Sequence, residues 1–437
     1  MTSRAGLGAG FYIFPMTYDD AIAFWFGRIN YEVRSATPAD LKLERMRAFL
    51  RALGDPHDRL RIIHIAGTKG KGSTAAMLGA VLQVAGYCVG LFTSPHLGHV
   101  EERIQVNGAP IRREELAALM EQLAPAVRAF EIEPGSGPTF FEISTALGFL
   151  HFVQRRVDVA IVEVGLGGRF DSTNVCRPLV GIITTVGLDH TAQLGNTVEE
   201  IAFQKAGIIK RGVPVVSAAQ EAAARRVIET VAREVKTDLL GPAGDYPHEL
   251  GLLGRHQRAN AGLVLKTVEV LNSLGFTIPA SALRAGLKSV SWPCRIEVVS
   301  RNPVVVLDCA HNVPSARALA DTLAESLPVT GRRGIVFAVS SDKDYPGMLR
   351  ILAPHFDRFD FTPYGNNPRC VPPEKLAEVL RAIAPGKTTR TFADAPSAWE
   401  AAWAATAPED LVCVTGSVFL AGELQGVVRR CAGAAGY

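Results

Sequence analysis

The stretch Ile62–Leu78, IIHIAGTKGKGSTAAML, gathers residue types that could hold a phosphate chain. Gly67, Gly70 and Gly72 permit tight turns and close approach of backbone amides to an anion. Lys71 could reach the β- and γ-phosphates of a nucleotide, with Ser73 and Thr74 at the start of a helical pattern. An apolar strand-like run comes before and a helix after, the place where a helix dipole and free N–H groups favour negative charge. The pattern G-x-x-x-x-G-K-[ST] is not met: Ile65 stands at the first glycine position and Gly72 separates Lys71 from Ser73. The plainer alternative is a solvated turn with a serine N-cap.

Other candidates stand at the ends of apolar runs. Glu163 ends VDVAIVEV, where a strand-end carboxylate points into the crevice that binds ligands in α/β sheets; a surface carboxylate is the alternative. The GLGG after it is a weak dinucleotide match, discounted because the loop-like RFDSTN follows. Ser94 in TSPHL reads alone as a Ser-Pro turn, and His190 in LDH as a structural histidine. Lys205 in AFQKAGIIK reads as a solvated helical lysine. Phe140 and Phe141 in TFFE open a helical segment and suit core packing. Asp308 ends VVVLDC; His311 and Asn312 follow at a helix start, with Asn312 a candidate N-cap. SDKD, Ser341 to Asp344, follows the strand-like GIVFAVS, and a surface loop is its even rival.

The elements that must position these residues alternate. RIIHIAG, CVGLFTS, VDVAIVEV, LVGIITTVG and VPVVSA are strand candidates separated by helical segments such as STAAMLGAVLQVAG and TVEEIAFQKAGIIK. Continuous β-branched runs suit strands buried on both faces, and the alternation predicts an α/β fold with a mostly parallel sheet and right-handed crossovers. A second series, VVVLDC, GIVFAVS, FDRFDFTP, TTRTFAD and DLVCVTGS, predicts a smaller Rossmann-like α/β domain, with the boundary around SVSWPCRIEVV. Residues 1–16 are expected to be a flexible extension, and GLGAG within them a tail rather than a dinucleotide loop.

Composition agrees. A chain of 437 residues suggests two or three domains. A net charge of +3 does not by itself point to nucleic-acid or membrane partners, and no apolar run of ~18 residues predicts a span. Seven cysteines without a C-x-x-C pair argue against a disulfide framework or cysteine zinc site, so a cytoplasmic location is expected.

HIAGTKGKGS, LFTSPHL, EVGLGGRFDSTNV, LDHTAQLGNTVEEIAFQKAGIIK, RHQRANA, WPCRIEVV, LDCAHN and VTGSVFLAGE occur in an order that resembles the folylpolyglutamate synthase/dihydrofolate synthase family of ATP-dependent Mur-type amide ligases. The likeness runs from about Tyr18 to Gly422. It implies a P-loop NTPase-like domain over 17–296 and a glutamate-ligase domain over 297–437. It also implies a reaction: ATP phosphorylates the carboxylate of a dihydropteroate or reduced folate, and the amine of L-glutamate displaces phosphate. The rivals are a Mur-type ligase of another carboxylate, a P-loop kinase, or a nucleotide-binding relative with reduced activity.

By resemblance, Gly70, Lys71, Gly72, Ser73, Asn260, Arg295, Asp308 and His311 contact ATP. Ser94, Glu163 and His190 hold one or two magnesium ions, and a monovalent cation is a further implied ligand. Lys71, His190 and Lys205 are the catalytic candidates, Lys205 carrying a carbamate in the family. Thr139, Phe140, Phe141 and Glu142, with Phe170, Asp171 and Ser172, border a pterin pocket, and Arg103 is either an assistant there or a surface arginine. Ser341, Asp342, Lys343 and Asp344 are placed near the incoming glutamate, and a monomer is expected. Some positions depart from the family. Cys294 and Cys309 stand where glycine is common, a strain of ~1–2 kcal/mol each if φ must be positive. Gln204 replaces a frequent Glu, and Lys69 a frequent Asn.

Overall fold

A computed structural model of the chain describes residues 15–31, 43–131, 137–365 and 367–434. Most of the expected 1–16 extension, GLGAG included, lies outside the described residues. Two sheets organise the rest. The first contains β1 (Ile62–Ala66), β2 (Val89–Phe92), β3 (Ile104–Val106), β4 (Ala109–Pro110), β5 (Val159–Glu163), β6 (Val180–Ile183), β7 (Val215–Ser217) and β8 (Leu239–Leu240). Their order is β4-β3-β2-β5-β1-β6-β7-β8. All neighbours from β2 to β8 are parallel, while β3 and β4 add an antiparallel edge.

The strand-like runs fold as expected because β1, β5 and β6 are buried along their whole length, a setting that favours continuous apolar runs rich in β-branched residues. β1 lies between β5 and β6, with Ile65 opposite Glu163 on one side and Ile182 on the other. The chain order changes direction there. The loop leaving β1 therefore opens at a topological switch point, where open α/β sheets bind ligands.

The second sheet contains β9 (Glu297–Arg301), β10 (Val304–Leu307), β11 (Arg333–Phe337), β12 (Arg358–Phe361), β13 (Thr388–Thr391) and β14 (Leu411–Thr415), in the order β13-β12-β11-β14-β10-β9. Only β9 runs antiparallel to its neighbour. Sheet and helices enclose a core that includes Leu323, Phe337, Leu352 and Phe359. Among the described residues no helix is long and apolar enough to cross a membrane.

Two local expectations change. The helical pattern through TVEEIAFQKAGIIK stops at Ala206. The backbone of Gly207 packs so tightly on Arg169 that a Cβ there would lie 2.3 Å from its Cα. The β3–β4 hairpin was not read from the sequence, although Asn107-Gly108 between short apolar runs is its signal; both residues take positive φ, 51° and 76°.

Candidate functional site

The loop after β1 ends at Gly70, the N-cap of the helix Lys71–Val84. Gly70 has φ 89° and caps this helix without a side-chain hydrogen bond, so its positive end has no capping side chain of its own. A Cβ on Gly70 would lie 2.5 Å from Asn260 Oδ1, so neither backbone nor space admits another residue. Gly72 lies inside the first helical turn, and a Cβ there would sit 3.1 Å from Trp292 Nε1 and 3.7 Å from Glu163 Oε2. The extra glycine thus provides room beneath an indole and a carboxylate.

Neighbouring elements fix the loop. Thr184 Oγ1, just beyond β6, donates to the Lys69 carbonyl at 2.6 Å. The helix Arg255–Ser273 lies across the loop: Gln257 Nε2 donates to Ser73 Oγ at 3.2 Å, and Asn260 Nδ2 to Gln257 Oε1 at 3.0 Å. Lys71 Nζ donates to the Gly67 carbonyl at 3.2 Å and lies 3.8 Å from Glu163 Oε1.

Glu163 is buried at the end of β5. Burial pushes its carboxyl pKa up, against the pull of Lys71 and Arg295. Its contacts are long: Lys71 at 3.8 Å and the Ser94 N–H at 3.4 Å. A buried carboxylate with such loose partners suits a cation between them. Lys205 is not a solvated helical lysine. Its residue is 4% exposed, and its Nζ donates to the Gly67 carbonyl at 3.0 Å. Burial, then repulsion from Lys71, lowers its pKa to about 7, so much of it is a neutral amine near neutrality.

A second cluster joins the two sheets. Asp189 Oδ2 accepts from Lys69 Nζ at 2.8 Å and from Asn312 Nδ2 at 3.4 Å, while Lys343 Nζ donates to Oδ1 at 3.5 Å. Burial disfavours the Asp189 charge, but Lys69, His190 and Lys343 outweigh it and hold this carboxyl well below the usual range. Burial lowers Lys69 to about 8 despite Asp189. Lys69 Nζ also lies 2.9 Å from His311 Nε2, and His311 Nδ1 is 2.8 Å from the Cys309 carbonyl. A carbonyl only accepts, so Nδ1 carries the proton and Nε2 receives the lysine donor. Burial and Lys69 push His311 down to about 3, which keeps the ring neutral.

His190 begins the short helix Thr191–Leu194 with φ 50°. About half of its side chain is open to solvent; the burial of the rest, with Lys343, Lys71 and Lys69 nearby, lowers it to about 4 against the pull of Asp189.

Asp308, at the end of β10, holds its own turn: it accepts from the N–H groups of Ile296 at 3.0 Å and Ala310 at 2.7 Å, and from Thr415 Oγ1 at 3.2 Å. Asn312 is the N-cap of the helix Val313–Ser326 as well as a partner of Asp189. Cys294 has φ 53°, the strained region, whereas Cys309 has no positive φ. The Cys294 N–H is held by Glu297 Oε2 at 2.9 Å. Of SDKD, only Lys343 reaches the cluster. Asp344 caps the helix Tyr345–Leu352, Asp342 pairs with Lys343, and the Ser341 N–H donates to the Arg369 carbonyl.

The segments expected to border a pterin divide. Thr139 and Glu142 form the capping box of the helix Phe140–Gln154, and Arg45 grips Glu142 at 2.9 and 3.1 Å. Phe140 is 1% exposed and stacks on Trp25 at 5.1 Å. Arg103 is fully buried, with its guanidinium 5.2 Å from the Phe140 ring and its Nε donating to His96 Nδ1 at 2.8 Å; it is not a surface arginine. Asp171 caps the turn at Ser172–Val175, and Ser172 Oγ lies 2.6 Å from Thr145 Oγ1. Phe141 packs against Gly165, where a Cβ would fall 2.4 Å from its ring. Phe170 is 44% exposed.

Sequence reasoning missed Asp189, Thr184, Gln257 and Trp292. Gln257 precedes Asn260 by three residues, so both face the loop from one side of a helix, and that spacing was a usable signal. Asp189 adjoins His190 and was equally visible. Thr184 and Trp292 reach the loop only through the tertiary fold.

Residues 65–236 match the Mur ligase middle domain and 294–418 the Mur ligase, glutamate ligase domain. The chain is 41% identical over 375 residues to a dihydrofolate synthase/folylpolyglutamate synthase from Bacillus subtilis, covering 79% of this chain and 86% of that one. Its structure is similar to that of Mycobacterium tuberculosis folylpolyglutamate synthase complexed with ADP, with TM-score 0.84, 30% identity and coverage of 94% and 98%. It is also similar to E. coli FolC in complex with DHPP and ADP, with TM-score 0.82, 30% identity and coverage of 95% and 98%.

Proposed function

Because this chain belongs to the folylpolyglutamate synthase/dihydrofolate synthase family of Mur ligases, we propose that it uses ATP to join L-glutamate to the carboxylate of a dihydropteroate or reduced folate. One observation carries the reading: the uncapped helix end at Gly70–Lys71 lies beside the buried Glu163, with Arg295, at the domain boundary, near enough to stabilise that carboxylate's charge. A carboxylate resists attack by an amine because oxide is a poor leaving group, and phosphorylation supplies a better one. The protein must neutralise charge on the transferring phosphoryl group, exclude water and align a neutral amine.

The roles divide accordingly. The first-turn amides from Gly70 to Ser73, with Lys71, cradle the β- and γ-phosphates, and Arg295 approaches from the domain boundary. Asn260 walls the loop; Asp308 and His311 shape the nucleotide side of the second domain. Ser94, Glu163 and His190 would hold one or two magnesium ions, which when bound supply positive charge at the phosphates. The carboxylate and hydroxyl suit a hard cation, and the loose contacts of Glu163 leave room for one. Lys205 adds carbon dioxide at its neutral amine, releasing a proton and forming a carbamate that turns a donor into an oxygen acceptor. Its buried, half-neutral state near pH 7 supports this. Intact mass in bicarbonate tests it; an unmodified amine with full activity excludes it.

Phe170 and Phe141 supply the apolar side of the pterin site, supported by the exposure of the Phe170 ring and by the contact of the Phe141 ring with Gly165 in the loop that carries Phe170. The ATPase unit spans 17–296 and the glutamate-ligase unit 297–437, and the enzyme works as a cytoplasmic monomer. ADP release dependent on both a pteroyl substrate and glutamate tests the whole reading.

A further inference from the structure

Lys69 is the one loop residue whose side chain leaves the phosphate loop for the opposite domain. Its Nζ sits between Asp189 Oδ2 at 2.8 Å and His311 Nε2 at 2.9 Å, and His311 lies 242 residues away on the second sheet's side of the cleft. Asp189 extends the same connection, because Asn312 and Lys343 of the second domain also donate to it. Five side chains from two domains thus meet in one cluster, with Lys69, Lys343 and Asn312 sharing the Asp189 carboxylate. Asn at position 69 could not span the distance: a lysine carries its donor two bonds further from the backbone.

We infer that Lys69 is a positioning residue, a strap that holds His311, Asn312 and Lys343 in register with the phosphate loop so that the amine donor meets the activated carboxylate. The inference rests on the glutamate-ligase reading. The strap has a chemical logic. The charge-assisted bond to Asp189 anchors the ammonium within the first domain, and the bond to His311 transmits that position across the cleft. His311 can accept it because its other nitrogen is committed as donor to the Cys309 carbonyl. The loop that holds phosphate and the helix start that faces it from the second domain are therefore linked by one side chain, with no third element between them.

The rival role is direct phosphate binding, as for Lys71. The two separate in steady-state kinetics on the full-length enzyme. Lys69→Met and Lys69→Asn should raise KM for L-glutamate about tenfold, the loss expected for one charge-assisted hydrogen bond, and raise the Kd of ADP by less, with kcat at saturating glutamate little changed. Lys69→Arg, which keeps the charge, should recover part of the effect. Asp189→Asn should raise the same KM, and the Lys69→Met/Asp189→Asn pair should be less than additive. Unchanged glutamate KM with weakened ADP binding overturns the strap in favour of a phosphate ligand. Additive losses in the pair overturn it as well. If Lys69→Met does not fold, Lys69→Arg and Asp189→Asn decide by the same two readouts. Absence of glutamate-dependent ADP release in the unaltered enzyme would instead remove the ligase reading itself.

Discussion

Lys205 Nζ donates to the Gly67 carbonyl at 3.0 Å, so the helix Val198–Ala206 and the phosphate loop share one buried contact across 138 residues of chain. Lys71 reaches the same carbonyl, and the two amines repel. Burial, reinforced by that repulsion, favours the neutral amine at Lys205.

That arrangement sets a pH dependence. The folded-state pKa of Lys205 is lowered to about 7 from 10.5, so between these values the unfolded chain binds more protons than the folded one. Stability contributed by Lys205 therefore rises with pH across this window and is lost as pH falls toward 7. Urea unfolding of the unaltered protein and Lys205→Met at pH 7 and pH 9 should show the difference shifting in favour of lysine at the higher pH. Turnover of Lys205→Met should fall by about 10²-fold, as for loss of one group that organises transition-state charge.

Gly70→Ala should be destabilised on two grounds. Its φ of 89° costs a β-carbon ~1–2 kcal/mol, and the methyl group would meet Asn260 Oδ1 at 2.5 Å. Adding Asn260→Ala should relieve the clash but not the backbone strain, so thermal unfolding should show partial rescue.

The aromatic candidates should part company. Phe140→Ala removes a core ring stacked on Trp25 and should cost about 3–5 kcal/mol of stability. Phe170→Ala should leave Tm nearly unchanged and raise KM for the pteroyl substrate, because that ring is open to solvent. Equal effects of both on Tm would contradict the division.

Cys294 and Cys309 differ in backbone rather than in burial. At Cys294, glycine would relieve ~1 kcal/mol of strain at φ 53° while losing buried packing of similar size, so Cys294→Gly should change stability little. Cys309→Gly has no strain to relieve and should destabilise by about 1–2 kcal/mol. Chemical denaturation of the two variants checks the order.

The parallel strands were legible because burial on both faces demands long apolar runs, and Lys71, Glu163 and Lys205 stood at their ends or in matching motifs. What stayed hidden depends on tertiary approach. Nothing local in KAGIIK says that Lys205 is buried, because its helix faces the loop only after β1 and β6 pair. The residues of TFFE suit core packing, as Phe140 shows, but nothing local says that Thr139 and Glu142 cap the helix with Arg45 on the carboxylate. Asp189 was visible beside His190, yet its four side-chain donor and ion-pair partners lie from one to 154 residues away.

The most direct measurement is sustained ADP release over many turnovers, with dihydropteroate and tetrahydrofolate supplied separately, each with and without L-glutamate. The expected result is turnover only when a pteroyl substrate and glutamate are both present, and none in a folded Lys71→Ala protein. Sustained release without glutamate, or full activity in Lys71→Ala, would contradict the account.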